Sequence, residues 1–160
     1  MTLSERLTDL LVGATPQRIF LDTAPIIYFV ENNPTYLKRV QSVFNQIDAG
    51  ALTAITSPIT LAECLVHPYR RGLDEAVEAF TALIINGENT LFAPIGQETA
   101  QRAAQLRARH NLGLADSFQI ATALITACSA FLTNDALLRR VTEIPILVLD
   151  DFDPETASES

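Results

Sequence analysis

The sequence predicts an α/β fold of three layers, α/β/α, around a central and mainly parallel sheet, and three observations carry that expectation. Short β-like apolar runs alternate with longer stretches of helical periodicity along almost the whole chain, the pattern of strands joined by crossover helices. The length of 160 residues suits one domain, and 48% hydrophobic residues are enough for a core without disulfides. There is no internal repeat and no low-complexity linker.

The elements follow in order. Residues 1–13 read as a short amphipathic helix with Leu3, Leu7, Leu10 and Leu11 on one side. The first strand is expected at 18–22, where an apolar run stops at Asp22, and a helical pattern follows to Val30. Pro34 opens a second helix carrying Leu37, Val40, Phe44 and Ile47, with Gly50 as its stop. The second strand is expected at 52–56. Ser57-Pro58 is a cap followed by a proline in the first turn, and that helix should end before Pro68. Further helices are expected near 73–85, 98–110 and 114–128, a short one at 135–141, and strands at 90–93, 131–133 and 146–149. This divides the chain into a helical lead (1–17), a main domain (18–150) and an acidic, flexible tail (151–160).

Charge and composition narrow the function classes. No apolar run approaches the ~18 residues a membrane-spanning helix needs. The first residues carry Glu5, Arg6 and Asp9 and lack the basic start of a signal peptide. Cys64 and Cys128 sit in apolar helical patterns outside any metal-type spacing and read as buried small side chains. A cytoplasmic protein is the expectation. Net charge is −8, which is not the footprint of a broad basic nucleic-acid face. Asp150, Asp151, Asp153, Glu155 and Glu159 concentrate part of it at the end of the chain. The pairs Arg70-Arg71 and Arg139-Arg140, with Arg102, Arg107 and Arg109, either contact phosphates or decorate solvated helix faces.

Four acids stand at special places. Asp22 ends the first strand, Glu63 lies a turn into the helix after the second, Asp116 opens a late helix, and Asp135 follows the 131–133 strand. In an open parallel sheet the crevice beyond the strand C-termini is where ligands bind, so topology points Asp22, Asp116 and Asp135 at one edge. The Glu63 side chain can lean back toward it. Each has a plain structural alternative: Asp116 as complement to its helix dipole, Asp135 as an N-cap, Glu63 as a surface acid. Asp22 is hardest to explain so, because it is flanked by apolar residues on both sides.

The segments IFLDTAPIIYFVE, SPITLAECL, LGLADSFQIATAL and FLTNDALL resemble the signature segments of PIN domains, in particular the VapC-like toxins of bacteria and archaea. The resemblance runs over about residues 18–149. It implies an Mg²⁺- or Mn²⁺-dependent endoribonuclease hydrolysing RNA at a four-carboxylate site of Asp22, Glu63, Asp116 and Asp135. It further implies the toxin role in a type II toxin–antitoxin pair, a homodimer, and an antitoxin whose basic segment occupies the acidic groove. Two alternatives stay open: a stand-alone RNA-processing nuclease, and a weakly active PIN-like module that binds RNA or protein. The chain differs from many compact toxins in its lead of some eighteen residues and in its acidity.

The chemistry of the residues agrees. Crowded carboxylates raise one another's pKa, and a divalent cation removes that penalty. An oxygen-only ligand set without Cys or His favours Mg²⁺ or Mn²⁺ over zinc. Asp22 and Asp116 are the expected main ligands. Glu63 and Asp135 would act through water, position the nucleophile or hold a second ion. Thr23 and Thr133 either hydrogen-bond the carboxylates or substrate, or cap helices. Other acid-rich folds fit less well. A receiver domain wants an acidic pair after the first strand and a late lysine, yet Leu21 precedes Asp22 and the only lysine is Lys38. An Asp-x-Asp phosphatase is excluded by Ala24.

Overall fold

The computed structural model describes residues 1–13 and 16–156. The elements are α1 (Leu3–Leu10), β1 (Gln17–Leu21), α2 (Thr23–Val30), α3 (Leu37–Asp48), β2 (Leu52–Thr56), α4 (Pro58–Arg71), α5 (Asp74–Asn86), β3 (Thr90–Phe92), α6 (Gln97–His110), α7 (Leu114–Ile125), β4 (Ala130–Thr133) and β5 (Ile146–Val148). Short 3-10 helices occupy Ala136–Arg140 and Leu149–Asp151. Among the described residues the strands form one sheet in the order β3-β2-β1-β4-β5, with every pairing parallel. The α/β/α expectation holds.

The central strands carry adjacent apolar residues, Ile19-Phe20-Leu21 in β1 and Ala130-Phe131-Leu132 in β4, because both faces of the sheet are covered there. Ile19, Leu21, Leu52, Ala54, Ala130 and Leu132 face one core with α1 to α5, while Phe20, Ile55 and Phe131 face the other with α6 and α7. Phe20 and Phe131 stack at 5.0 Å across the β1–β4 pair. The sheet is thereby fixed in register, since a slip of one residue would exchange the two apolar sets.

Two helix ends differ from expectation. α4 continues through Pro68 to Arg71. The missing proline N–H removes one helical bond, but the Pro68 ring is buried and the true stop is Gly72, at φ 64°. There the Leu73 amide donates to the Pro68 carbonyl at 2.9 Å, a Schellman-like closure. α7 stops at Ile125, short of Cys128, because Ala127 takes φ 56° and the Cys128 amide returns to the Ala123 carbonyl at 2.9 Å. No glycine marks that turn.

The lead helix packs against its own chain. Thr2 and Glu5 form a capping box, and Leu3 and Leu7 are fully buried in the α1–α5 core. The last described residues lie beside it: Thr2 bridges Asp153, and the Ser4 amide donates to Glu155 Oε1 at 3.0 Å. Residues 157–160 lie outside the described residues. Leu7→Ala is therefore expected to destabilise the protein by about 3 kcal/mol, lowering Tm by about 6–12 °C in a thermal melt. Val12→Ala, at a side chain 80% exposed, should leave Tm nearly unchanged.

Candidate active site

The strand order reverses direction at β1, whose neighbours are β2 on one side and β4 on the other. This is the switch point at which open α/β sheets form a crevice. Asp22 follows β1 directly, and its amide extends the β1–β4 ladder by donating to the Leu132 carbonyl at 3.0 Å. It stands at the N-cap of α2, yet its side chain does not cap the helix. The carboxylate instead accepts from Thr133 Oγ1 at 2.8 Å. Thr133 is fully buried, and its hydroxyl oxygen also accepts from the Asp135 amide at 3.0 Å. One hydroxyl thus ties the residues following β1 and β4 together.

Glu63 is reached from the other side. Ser57 caps α4 through a capping box with Thr60, and the helix then presents Glu63 in its second turn. Thr23 Oγ1 donates to Glu63 Oε1 at 2.9 Å, so the first residue of α2 positions the acid of α4. Asp116 lies in the first turn of α7 and accepts no hydrogen bond among the described residues. Asp135 caps the following 3-10 helix, with the Leu137 amide donating to Oδ1 at 3.0 Å. The capping alternative is realised for Asp135.

All four acids line one open cleft, together with Thr23, Thr133, Asn134 and Tyr28. Burial grades across it: Asp22 is buried, Asp116 and Asp135 are half-buried, and Glu63 is exposed. The electrostatics follow. Burial raises the Asp22 pKa, opposed by the hydrogen bond from Thr133 and the Thr23 amide and reinforced by the Glu63 charge. Burial also pushes Asp116 up to about 6, and the charges of Asp22, Asp135 and Glu63 add to the rise. Among the described residues no three acidic, His or Cys side chains converge tightly enough to ligate one ion directly. The donor set nevertheless fits a hard, hydrated divalent cation: only carboxylates, one without a donor and two carrying raised pKa values.

The sequence reading missed a buried amide. Gln119 is fully buried one turn after Asp116 on α7. Its Nε2 donates to Thr60 Oγ1 at 2.8 Å, and its Oε1 accepts from Ser57 Oγ. It therefore fastens the Asp116 helix to the cap of the Glu63 helix. A lone amide inside the apolar run of α7 was the available signal. Four of the seven arginines named from the sequence are occupied. Arg139 pairs with Asp151, Arg140 donates to the His110 carbonyl at 3.2 Å, Arg107 donates to the Leu112 carbonyl, and Arg109 pairs with Glu143 at 3.3 Å.

The family model described as PIN domain matches residues 19–144. The chain belongs to the PIN-domain family. Among solved structures, this PIN domain is similar to a chain of VapBC2 from Rickettsia felis bound to a promoter DNA fragment. The TM-score is 0.66 at 14% identity, covering 82% of this chain and 98% of that one. It is also similar to a chain of DNA-bound VapBC from Salmonella typhimurium, with TM-score 0.61, 20% identity and coverage of 84% and 99%. A third similar structure is Mycobacterium tuberculosis VapC20, described as a sarcin-ricin loop cleaving toxin. There the TM-score is 0.59 at 16% identity, with coverage of 71% and 86%. At these identities the likeness is one of fold. Among curated proteins none matches by sequence. No helix among the described residues of this PIN domain is long and apolar enough to cross a membrane.

Proposed function

We propose that this PIN domain is an Mg²⁺- or Mn²⁺-dependent endoribonuclease that hydrolyses RNA phosphodiester bonds as the toxin of a type II toxin–antitoxin pair. The observation that carries it is the convergence of Asp22, Glu63, Asp116 and Asp135, from four separate elements, on one cleft at the switch point of the sheet. Asp22 and Asp116 would be the main ligands of the ion, Asp22 braced by Thr133 and Asp116 accepting no hydrogen bond among the described residues. A bound divalent cation lowers the pKa of an attacking water and offsets charge on the leaving oxygen. Glu63, exposed and hydrogen-bonded by Thr23, would act through water, position the nucleophile or hold a second ion. Asp135 would hold the ion through water from the β4 side.

Charge supports the partner. A cleft of four carboxylates in a chain of net −8 attracts a basic, partly apolar segment by steering. An arginine entering the cleft would take the cation's place through charge-assisted hydrogen bonds. The similar structures from Rickettsia felis and Salmonella typhimurium are VapBC structures, which supports an antitoxin of this kind, and a cytoplasmic homodimer completes the reading.

The test is twofold. Purified protein should cut single-stranded RNA with Mn²⁺ and stop with EDTA, and its expression should arrest growth unless the product of the adjacent gene is co-expressed. RNA cleavage without growth arrest, beside a gene encoding no basic partner, would replace the toxin role by stand-alone RNA processing. Undiminished cutting in EDTA would remove the metal mechanism.

A further inference from the structure

An acidic cleft must bind a polyanion, yet no Lys or Arg is among the described residues that line it. Arg139 and Arg140 follow Asp135 closely in sequence, but the first is paired with Asp151 and the second with backbone carbonyls of His110 and Asn111. Phosphate contacts from these side chains would compete with those bonds. Beside any cationic contact from farther off, the cleft wall itself offers an uncharged one.

Tyr28, on α2, lines the same cleft as the four carboxylates. One face of its ring is covered by Tyr36, with centroids 4.3 Å apart and planes within 10°. The Arg39 guanidinium lies 5.4 Å from the Tyr36 ring centre and extends the stack. The pair is anchored at its phenolic ends. Asn134 Nδ2 donates to the Tyr28 hydroxyl at 3.1 Å, Asn134 Oδ1 accepts from the Asp150 amide at 3.1 Å, and the Tyr36 hydroxyl donates to Asp150 Oδ1 at 2.6 Å. Asn134 lies between Thr133 and Asp135, so the aromatic stack and the carboxylates are fixed to one stretch of backbone. Rigid aromatic faces beside a backbone-tracking groove are how proteins hold unpaired bases without sequence preference.

We propose that Tyr28 is a stacking subsite for an unpaired nucleobase adjacent to the scissile phosphate. The subsite rests on the nuclease reading above and requires an unpaired base beside the cut, because a base paired within a duplex cannot lie on the ring.

An abasic scan tests this. Short single-stranded RNAs carrying one abasic nucleotide at successive positions around the cleaved bond are digested with Mn²⁺ by the full chain and by Tyr28→Leu and Tyr28→Phe. With the unaltered protein, kcat/KM should fall about tenfold at one position next to the cut. Tyr28→Leu should lose a similar factor on intact RNA and lose little more on that abasic RNA, the non-additivity of two partners in contact. Tyr28→Phe, which keeps the ring, should retain most activity. The scan with unaltered protein changes no protein atom, so it decides even where Tyr28→Leu folds poorly. If the unaltered protein cuts RNA but no flanking abasic site matters, or the two losses multiply, the subsite is wrong and the nuclease reading stands. If it cuts no RNA at all, both fall.

Discussion

Asp116→Asn is expected to lose metal-dependent RNA cleavage while making the metal-free protein more stable at neutral pH. The loss in rate should be on the order of 10²–10³-fold, because a bound ion supplies several kcal/mol of transition-state stabilisation. The gain in stability follows from the same charge. Burial and three neighbouring acids hold Asp116 at about 6, above the unfolded carboxylate value of about 3.9. A carboxylate raised in the folded state binds its proton more tightly there. Its ionised form therefore penalises folding as pH rises from about 4 through about 6. The full difference would be about 3 kcal/mol, and solvent at the half-buried site reduces it to about 2 kcal/mol. Denaturant unfolding in EDTA should find Asp116→Asn more stable than the unaltered protein near neutral pH, with the gap closing toward about pH 4. Mn²⁺ should stabilise only the unaltered protein strongly. A variant that is less stable at neutral pH, or fully active, would contradict the assignment.

Thr133→Val should produce the second large effect. The substitution keeps the volume and removes one hydroxyl, which donates to Asp22 and accepts from the Asp135 amide at 2.8 and 3.0 Å. A buried group left without its partner costs about 1–3 kcal/mol; here Asp22 loses one of its donors and keeps the Thr23 amide, and the half-buried Asp135 amide loses its acceptor. Stability should fall by about 1–3 kcal/mol, and the Mn²⁺ concentration for half-maximal cleavage should rise at least about tenfold. Raising Mn²⁺ should recover much of the rate. Thr133→Ser, which restores the hydroxyl, should recover both. A purely structural threonine would give the stability loss without the shift in metal requirement.

The order of strands and helices was legible because the chain keeps its apolar periods clean. The run Ile19-Phe20-Leu21 supplies both faces of a central strand, and Asp22 stands where that run stops. Three of the acids were legible for a related reason: Asp22, Asp116 and Asp135 each follow or open an element at one edge of the sheet, whereas Glu63 lies a turn into α4 and leans toward it. Helix ends were less so. Pro68 reads as a stop, but the ring is buried and Gly72 sets the actual end. Ala127 turns left-handed with no glycine to announce it. The Gln119 link and the Tyr28–Tyr36 stack depend on residues distant in sequence meeting across elements, which periodicity cannot show. The Arg139-Arg140 pair illustrates the same limit: its partners, Asp151 and the end of α6, come from elsewhere in the chain.

The most direct test of the central claim is a crystal of the protein grown or soaked with Mn²⁺ and measured for anomalous scattering. The dominant peak should lie in the cleft between Asp22 and Asp116, within reach of Glu63 and Asp135 through water, and should vanish in Asp116→Asn. Peaks confined to the tail acids Asp150, Asp151 and Asp153, with none in the cleft at saturating Mn²⁺, would contradict it.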